Sequence, residues 1–169
     1  MYDFIKKILK INRSLTGDGN RKTLKEIKKV IKKLSIKEIK SGTKVYDWKI
    51  PLEWNIRDAY IQHSSKKKFA EFKKNNLHVV GYSKPVNKII TKNELLKNIY
   101  TQKNQPAAIP YVTSYYKERW GFCMSEKMKR KLPNGKYKVF IDSDLKKGFL
   151  EVMQAKLKGK SKKEIFFSS

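Results

Sequence analysis

Tyr137-Lys-Val-Phe-Ile-Asp-Ser-Asp-Leu-Lys-Lys-Gly-Phe-Leu-Glu-Val-Met-Gln-Ala-Lys-Leu157, continued by Lys158-Gly-Lys-Ser-Lys-Lys-Glu-Ile-Phe-Phe167, is the stretch on which the fold reading turns. Tyr137, Val139 and Ile141 alternate with polar neighbours, the period of a half-buried strand. Asp142–Lys147 interrupts the pattern, and Phe149–Leu157 reads as its partner strand. After a turn over Gly159–Lys163, the segment Glu164–Ser169 opens a third strand. Its Ile165, Phe166 and Phe167 form a continuous apolar run, the mark of a strand covered on both faces. Such a strand belongs inside a sheet layered by helices, so the expected class is α/β. A chain that stops on entering a central strand reads as truncated.

Working back towards the N-terminus, Pro133-Asn-Gly135 signals a turn. Before it, Ile109-Pro-Tyr-Val-Thr-Ser-Tyr-Tyr-Lys-Glu-Arg-Trp-Gly-Phe-Cys123 packs five aromatics, an arginine and the single cysteine into one run. Arg119 is one of five arginines among 41 basic residues. Where lysine otherwise supplies the charge, an arginine among aromatics suggests that its planar fork of donors is wanted. The segment reads either as packed core with one snorkelling arginine or as the wall of a site. Thr91-Lys-Asn-Glu94 has capping-box spacing before Leu95, Leu96 and Ile99, which predicts a short helix. Ile56–Gln62, Lys68–Phe72 and Leu77–Tyr82 read as strands between polar turns. Ile36–Ser41 and Lys44–Ile50 read as extended. Residues 2–11 suit a short amphipathic helix with Tyr2, Ile5, Ile8 and Leu9 on one side. Arg13-Ser-Leu-Thr-Gly-Asp-Gly19 breaks it. A second helix is expected to about Leu34, where Thr23 and Glu26 have the spacing of a capping box, with an earlier start also open.

Composition narrows the class. With 169 residues, 39% hydrophobic and 12% aromatic, the chain can bury a real core. No apolar run nears the ~20 residues of a membrane span, and the lysine-punctuated N-terminus is not a secretory signal. A single cysteine makes no internal disulfide and fits a reducing compartment, so the expected location is the cytoplasm. The net charge of +26 invites a nucleic-acid or anionic-membrane reading. Two features argue against it. The positive charge is overwhelmingly lysine spread along the chain, and in the second helix Lys22, Lys25, Lys28, Lys29, Lys32 and Lys33 fill the positions left by Leu24, Ile27, Val30, Ile31 and Leu34. A solvated surface accounts for this pattern, and membrane and nucleic-acid partners are disfavoured.

The titratable residues do not assemble a catalytic set. His63 and His78 are the only histidines, which rules out a three-histidine zinc site within the chain. His78, in an apolar Leu-His-Val-Val context, reads as a hydrogen-bonded half-buried imidazole. Cys123 reads as a small buried hydrophobe. Asp142-Ser-Asp144 reads as a turn or a weak cation site, and Gly17-Asp-Gly19 as a weak anion site at a helix start.

Five motifs in order, Arg13–Gly19, Ser41–Trp48, Pro51–Tyr60, Leu77–Ser83 and Ile109–Cys123, resemble the aminopeptidase-like proteins of bacterial polysaccharide-biosynthesis clusters, relatives of the zinc exopeptidases. Asp142-Ser-Asp144 and Glu164–Ser169 fit the same pattern. The resemblance implies an α/β peptidase core around a mixed sheet, interrupted near its N-terminus by a small β-rich domain. It assigns residues 1–50 to the first part of the core, 51–135 to the insert and 136–169 to the continuation of the core sheet. It also implies a zinc-dependent hydrolase of peptides or another amide-bearing substrate, in which metal polarises the scissile carbonyl and activates water. The family's metal ligands lie beyond the motif that Phe166–Ser169 leads into, so this chain is expected to bind no metal and to be inactive alone. Its contribution would be a substrate-facing wall: Arg119, which can hold a carboxylate by two charge-assisted hydrogen bonds, with Tyr115, Tyr116 and Trp120 beside it, and Arg13, Ser14 and Asp18 behind. In the alternative, Arg119 and Asp18 merely pin the insert to the core. Two further readings stay open, a basic nucleic-acid-binding module and a non-catalytic assembly protein of polysaccharide biosynthesis. Homo-oligomerisation is compatible with all three.

Overall fold

The computed structural model describes residues 2–161 and 163–168. Helices α1 (Tyr2–Leu9) and α2 (Asp18–Val30) precede strand β1 (Leu34–Lys40) and a tight hairpin of β2 (Lys44–Val45) and β3 (Trp48–Lys49). There follow β4 (Glu53–His63), β5 (Lys68–Phe69), a 3-10 turn at Asn76–His78, β6 (Val86–Thr91) and α3 (Lys92–Leu96). The remaining elements are β7 (Ile99–Tyr100), β8 (Phe122–Cys123), α4 (Glu126–Arg130), β9 (Lys136–Lys146) and β10 (Phe149–Ala155). Helices and strands are thus mixed along the chain.

The main sheet has the order β5-β4-β9-β6 and is antiparallel throughout. Alternation fixes its register. Tyr137, Val139 and Ile141 point inwards opposite His63, Ile61 and Ala59. They pack with Leu95, Phe122 and Met124 in a core from which water is excluded. Arg57 sits at a bulge in β4, where the register with β9 shifts between Ile56 and Asp58. Thr91 caps α3 as its spacing predicts, accepting from the Glu94 amide while the Glu94 carboxylate accepts from the Thr91 amide.

Several expectations are corrected. Phe149–Leu157 does not pair with the Tyr137 strand: β10 pairs with β1, Lys40 opposite Phe149 and Leu34 opposite Ala155. The strand carrying Tyr137 lies instead between β4 and β6, so hydrogen bonding crosses the 135/136 division drawn from the sequence. Alternation along one strand shows which side is buried but not which strand is its neighbour. Ile165, Phe166 and Phe167 form no strand and are 84%, 85% and 88% exposed. Ser169, at the end of that expected strand, lies outside the described residues. The second helix ends at Val30 rather than near Leu34, and it takes the earlier start, at Asp18 with Gly17 as its N-cap, instead of the one that the Thr23 spacing marks. Gly17 has φ 98°, and a Cβ there would lie 2.3 Å from the Trp54 carbonyl oxygen, so only glycine lets the chain turn into α2 against β4. Thr23 lies inside the helix, its hydroxyl donating back to the Gly19 carbonyl at 2.9 Å. Leu77 and His78 lie in the 3-10 turn rather than a strand, and Lys68–Phe72 is strand only at its first two residues.

Just past the last register pair of β1 and β10, the Ser41 amide donates to the Gly148 carbonyl at 2.9 Å, and α2 lies across β10 with Asn20 and Arg21 on Glu151. None of the helices is long and apolar enough to cross a membrane, among the described residues.

Candidate functional site

The loop between α1 and α2 lies over the start of β4, and there the chain concentrates its buried polar groups. Thr16 is the hub. Its hydroxyl donates to the Leu52 carbonyl at 3.2 Å and accepts from the Trp54 amide at 3.3 Å. With that proton committed, the Tyr82 phenol donates to Thr16 Oγ1 at 2.6 Å. Tyr82 is itself buried in a left-handed conformation, φ 65°, and stacks on Trp54 with ring centroids 5.7 Å apart. Burial pushes the Tyr82 phenol above its ordinary pKa. The Trp54 indole N–H and the Ser143 hydroxyl both donate to the Ser83 carbonyl, at 2.9 and 2.7 Å.

Beside this hub, Arg21 of α2 bridges both sheets. It forms a two-nitrogen contact with the buried Glu53 carboxylate, binds Asp18 at 2.6 Å and reaches Glu151 at 3.6 Å. The Arg21 hydrogen bond holds Glu53 below the usual carboxylate range despite its burial. Glu151, farther from the guanidinium, is raised by burial. Sequence reasoning missed Arg21, Glu53, Thr16 and Tyr82. Arg21 had a usable signal, being one of the same five arginines that made Arg119 conspicuous.

Two hollows flank the Lys10–Ser14 segment. One, of about 700 Å³, lies between that segment, α2 and the Asn55–Arg57 part of β4, with Ser14 and Asp18 in its lining. The other, of about 970 Å³, lies between the same segment and Phe72–Val79, with Arg13, Ser14 and Tyr111 in its lining. Of the seven predicted site residues, Arg13, Ser14 and Asp18 therefore line these hollows, while Arg119, Tyr115, Tyr116 and Trp120 belong to neither lining.

The aromatic stretch is committed to structure. Arg119 donates to the Thr113 carbonyl at 2.9 Å and the Tyr100 hydroxyl at 3.3 Å, and its guanidinium lies over the Tyr100 ring. Its Nε and the Thr113 hydroxyl are buried with no hydrogen-bond partner among the described residues. Trp120 is buried under the Lys88 ammonium, 4.9 Å from its ring centroid. Tyr116 donates to the Lys49 carbonyl at 2.8 Å, tying this stretch to the β2–β3 hairpin. Tyr115 meets Tyr82 edge-on at 4.9 Å and is the link from the stretch to the Thr16 hub. Arg13 donates to the Ile8 carbonyl and Ser14 to the Thr16 carbonyl. The Asp18 amide donates to Asn55 Oδ1 at 2.8 Å, which occupies the helix start where an anion would sit.

The other candidates resolve similarly. His78 is buried with Nδ1 on the Cys123 carbonyl at 2.8 Å. His63 engages Ser65 through Nδ1 and the Asn134 carbonyl through Nε2. Burial pushes the Cys123 thiol up to about 11, the wrong direction for a nucleophile. Asp142 and Asp144 both accept from Arg57. Among the described residues, no three His, Cys, Asp or Glu side chains are placed to hold a metal ion. The described residues thus do not fit a zinc site.

Residues 53–144 match the family described as a domain of unknown function, DUF2172. The chain belongs to that family. A Clostridium acetobutylicum protein described as a "Putative polysaccharide biosynthesis protein with aminopeptidase-like domain" is 44% identical over all 169 residues. The match covers 39% of that relative, so the chain spans well under half of its length. The crystal structure of a "putative peptidase" from the same organism superposes with a TM-score of 0.84 at 48% identity, over 89% of this chain and 35% of that one. The resemblance read from the five motifs agrees with the description of the first relative.

Proposed function

We propose that the chain is the N-terminal portion of a metal-dependent aminopeptidase-like hydrolase acting on peptides or another amide-bearing substrate, in the cytoplasm. The observation that carries this reading is the 44% identity along the entire chain to the aminopeptidase-like relative. In this reading the zinc ligands lie in polypeptide outside these 169 residues, since both histidines are engaged as hydrogen-bond partners of turns and backbone. The inserted domain of this reading begins at residue 51, and the sheet it carries runs past residue 135 to take in β9 (Lys136–Lys146) as well. β9 is hydrogen-bonded to β4 and β6, whereas β1 and β10 pair with each other, which supports assigning β1 and β10 to the core in this reading. The exposed apolar residues of α1, β10 and the Ile165–Phe167 run support the same assignment, because further polypeptide would give them a partner.

The test is an assay of aminoacyl-anilide hydrolysis by the complete protein and by the 169-residue chain. Chelator-sensitive release by the complete protein, and none by the 169-residue chain, is expected. A complete protein that binds no stoichiometric metal and releases no amine would overturn the proposal. So would zinc-dependent turnover by the 169 residues alone.

A further inference from the structure

We propose that the larger hollow, between Lys10–Ser14 and Phe72–Val79, binds a short extended acidic peptide. Its charge is one-sided. The lining carries Lys10, Arg13, Lys73 and Lys74 but no Asp or Glu, in a chain that holds 15 acidic against 41 basic residues. The smaller hollow differs, since Asp18, Glu26 and Asp144 stand among its four lysines and Arg57. Lys73 and Lys74 do pair with Asp58 and Glu71, at 3.2 and 2.6 Å, but both carboxylates stand outside the lining. The two lysines are 72% and 75% exposed, and ion pairs of that kind are weak enough for an incoming carboxylate to compete.

The floor is apolar, formed by Ile56, Leu77, Val79 and the Trp54 ring, so a ligand with both apolar and acidic groups suits it better than a bare anion. One wall favours a peptide in particular. Asn12, Arg13 and Ser14 form no backbone–backbone hydrogen bond among the described residues. The Asn12 carbonyl packs against Gly19, so it is the N–H and C=O groups of Arg13 and Ser14 that can pair with an extended chain, as in strand addition. Acidic side chains then meet the lysine rim while alternate apolar ones face the floor. The inference deepens the hydrolase reading by naming a substrate class, and rests on it only in treating the bound peptide as substrate.

The experiment is isothermal titration of the 169-residue chain with acetylated hexapeptides alternating leucine with glutamate, serine or lysine. Saturable binding of the glutamate peptide is expected, at least ten-fold tighter than the serine peptide, with none for the lysine peptide. The double variant Arg13→Glu with Lys74→Glu should weaken binding at least ten-fold. Lys32→Glu with Lys33→Glu makes the same charge change beyond the end of α2 and should alter it less than two-fold. All four side chains are exposed, so both variants should melt with the parent. Equal weakening by the two variants would reduce the effect to general attraction by the +26 surface and overturn the proposal. Equal affinity for the serine peptide, or displacement of the glutamate peptide by an oligouridylate, would overturn it as well. Failure here, with the complete protein still hydrolysing anilides, removes the peptide site and leaves the hydrolase reading standing; peptide binding without hydrolysis does the reverse.

Discussion

Residues 53–144 and the segments on either side of them are built on different principles. Every member of the buried apolar cluster, from Trp54 to Ile141, lies in the first region. The flanks carry most of the exposed apolar surface instead: Tyr2, Ile5 and Leu9 on α1, Val30 and Ile31 after α2, Val152 on β10, and Ile165–Phe167. α1 buries no residue at all. The two-stranded β1–β10 sheet is the kind of unit that is marginal without a third strand or a covering layer. The flanks are therefore attached chiefly through polar pins, of which Arg21 on Glu53 and Glu151 and Thr16 on Tyr82 are the best formed. The family-matched region holds the hydrophobic cluster, and the flanks, apart from the buried Ile50 and Leu150, meet it through hydrogen bonds and charge.

Core truncation gives the largest effect that can break this contrast. Ile61→Ala removes a fully buried side chain between β5 and β9 and should cost about 3 kcal/mol in chemical denaturation. Leu9→Ala and Val152→Ala, on exposed positions, should each stay within about 0.5 kcal/mol. Equal losses at the two kinds of site would mean that the flanks share the core.

Next in size is the Arg21 pin. Arg21→Ala leaves the buried Glu53 and Glu151 without a counter-ion and should cost about 2 kcal/mol, a figure held down by the partial exposure of the arginine. Its pH dependence carries a defined sign. The folded pKa of Glu53 is depressed, so its contribution is present above the unfolded carboxylate value and is lost as pH falls through the folded one. Glu151 is raised, so it opposes folding as pH climbs through the ordinary carboxylate range towards its folded value. Glu53→Gln should therefore flatten the fall of melting temperature on acidification below about pH 4.3, whereas Glu151→Gln should stabilise the chain at neutral pH. An unchanged acid limb in Glu53→Gln would show that the pin contributes nothing.

Legibility in the sequence follows the same boundary. Within the matched region, alternation found the inward face of Tyr137, Val139 and Ile141, and Thr91–Glu94 found its helix, because both signals are local. Partner choice is not local. Phe149–Leu157 looked like the mate of the preceding strand, yet β10 crosses to β1, more than a hundred residues away in sequence. The Ile165–Phe167 run looked buried because apolar continuity records what a segment suits, and no element among the described residues covers it. At the candidate site, aromatic density drew attention to Arg119, whose bonds to Thr113 and Tyr100 are structural. The hollows lie instead around Arg13 and Ser14, and the buried Tyr82 in a left-handed conformation left no sequence signature.

The smallest effect separates two motifs that look identical as strings. Thr91-Lys-Asn-Glu94 and Thr23-Leu-Lys-Glu26 share the spacing of a capping box. In the first, the Thr91 hydroxyl satisfies the Glu94 amide at a real helix start, so Thr91→Ala should cost about 1 kcal/mol. In the second, Thr23 sits in the first half of α2 with its hydroxyl turned back on the Gly19 carbonyl, and the first free amide, that of Asp18, is already met by Asn55. No cap is lost on substitution, and alanine is the better helix former by a few tenths of a kcal/mol, so Thr23→Ala should be neutral or slightly stabilising. Asn55→Ala should be costlier than Thr23→Ala, because it removes the side-chain acceptor of the Asp18 amide. A loss at Thr23 matching that at Thr91 would move the start of α2 and with it the Gly17 turn that seats the flank on β4.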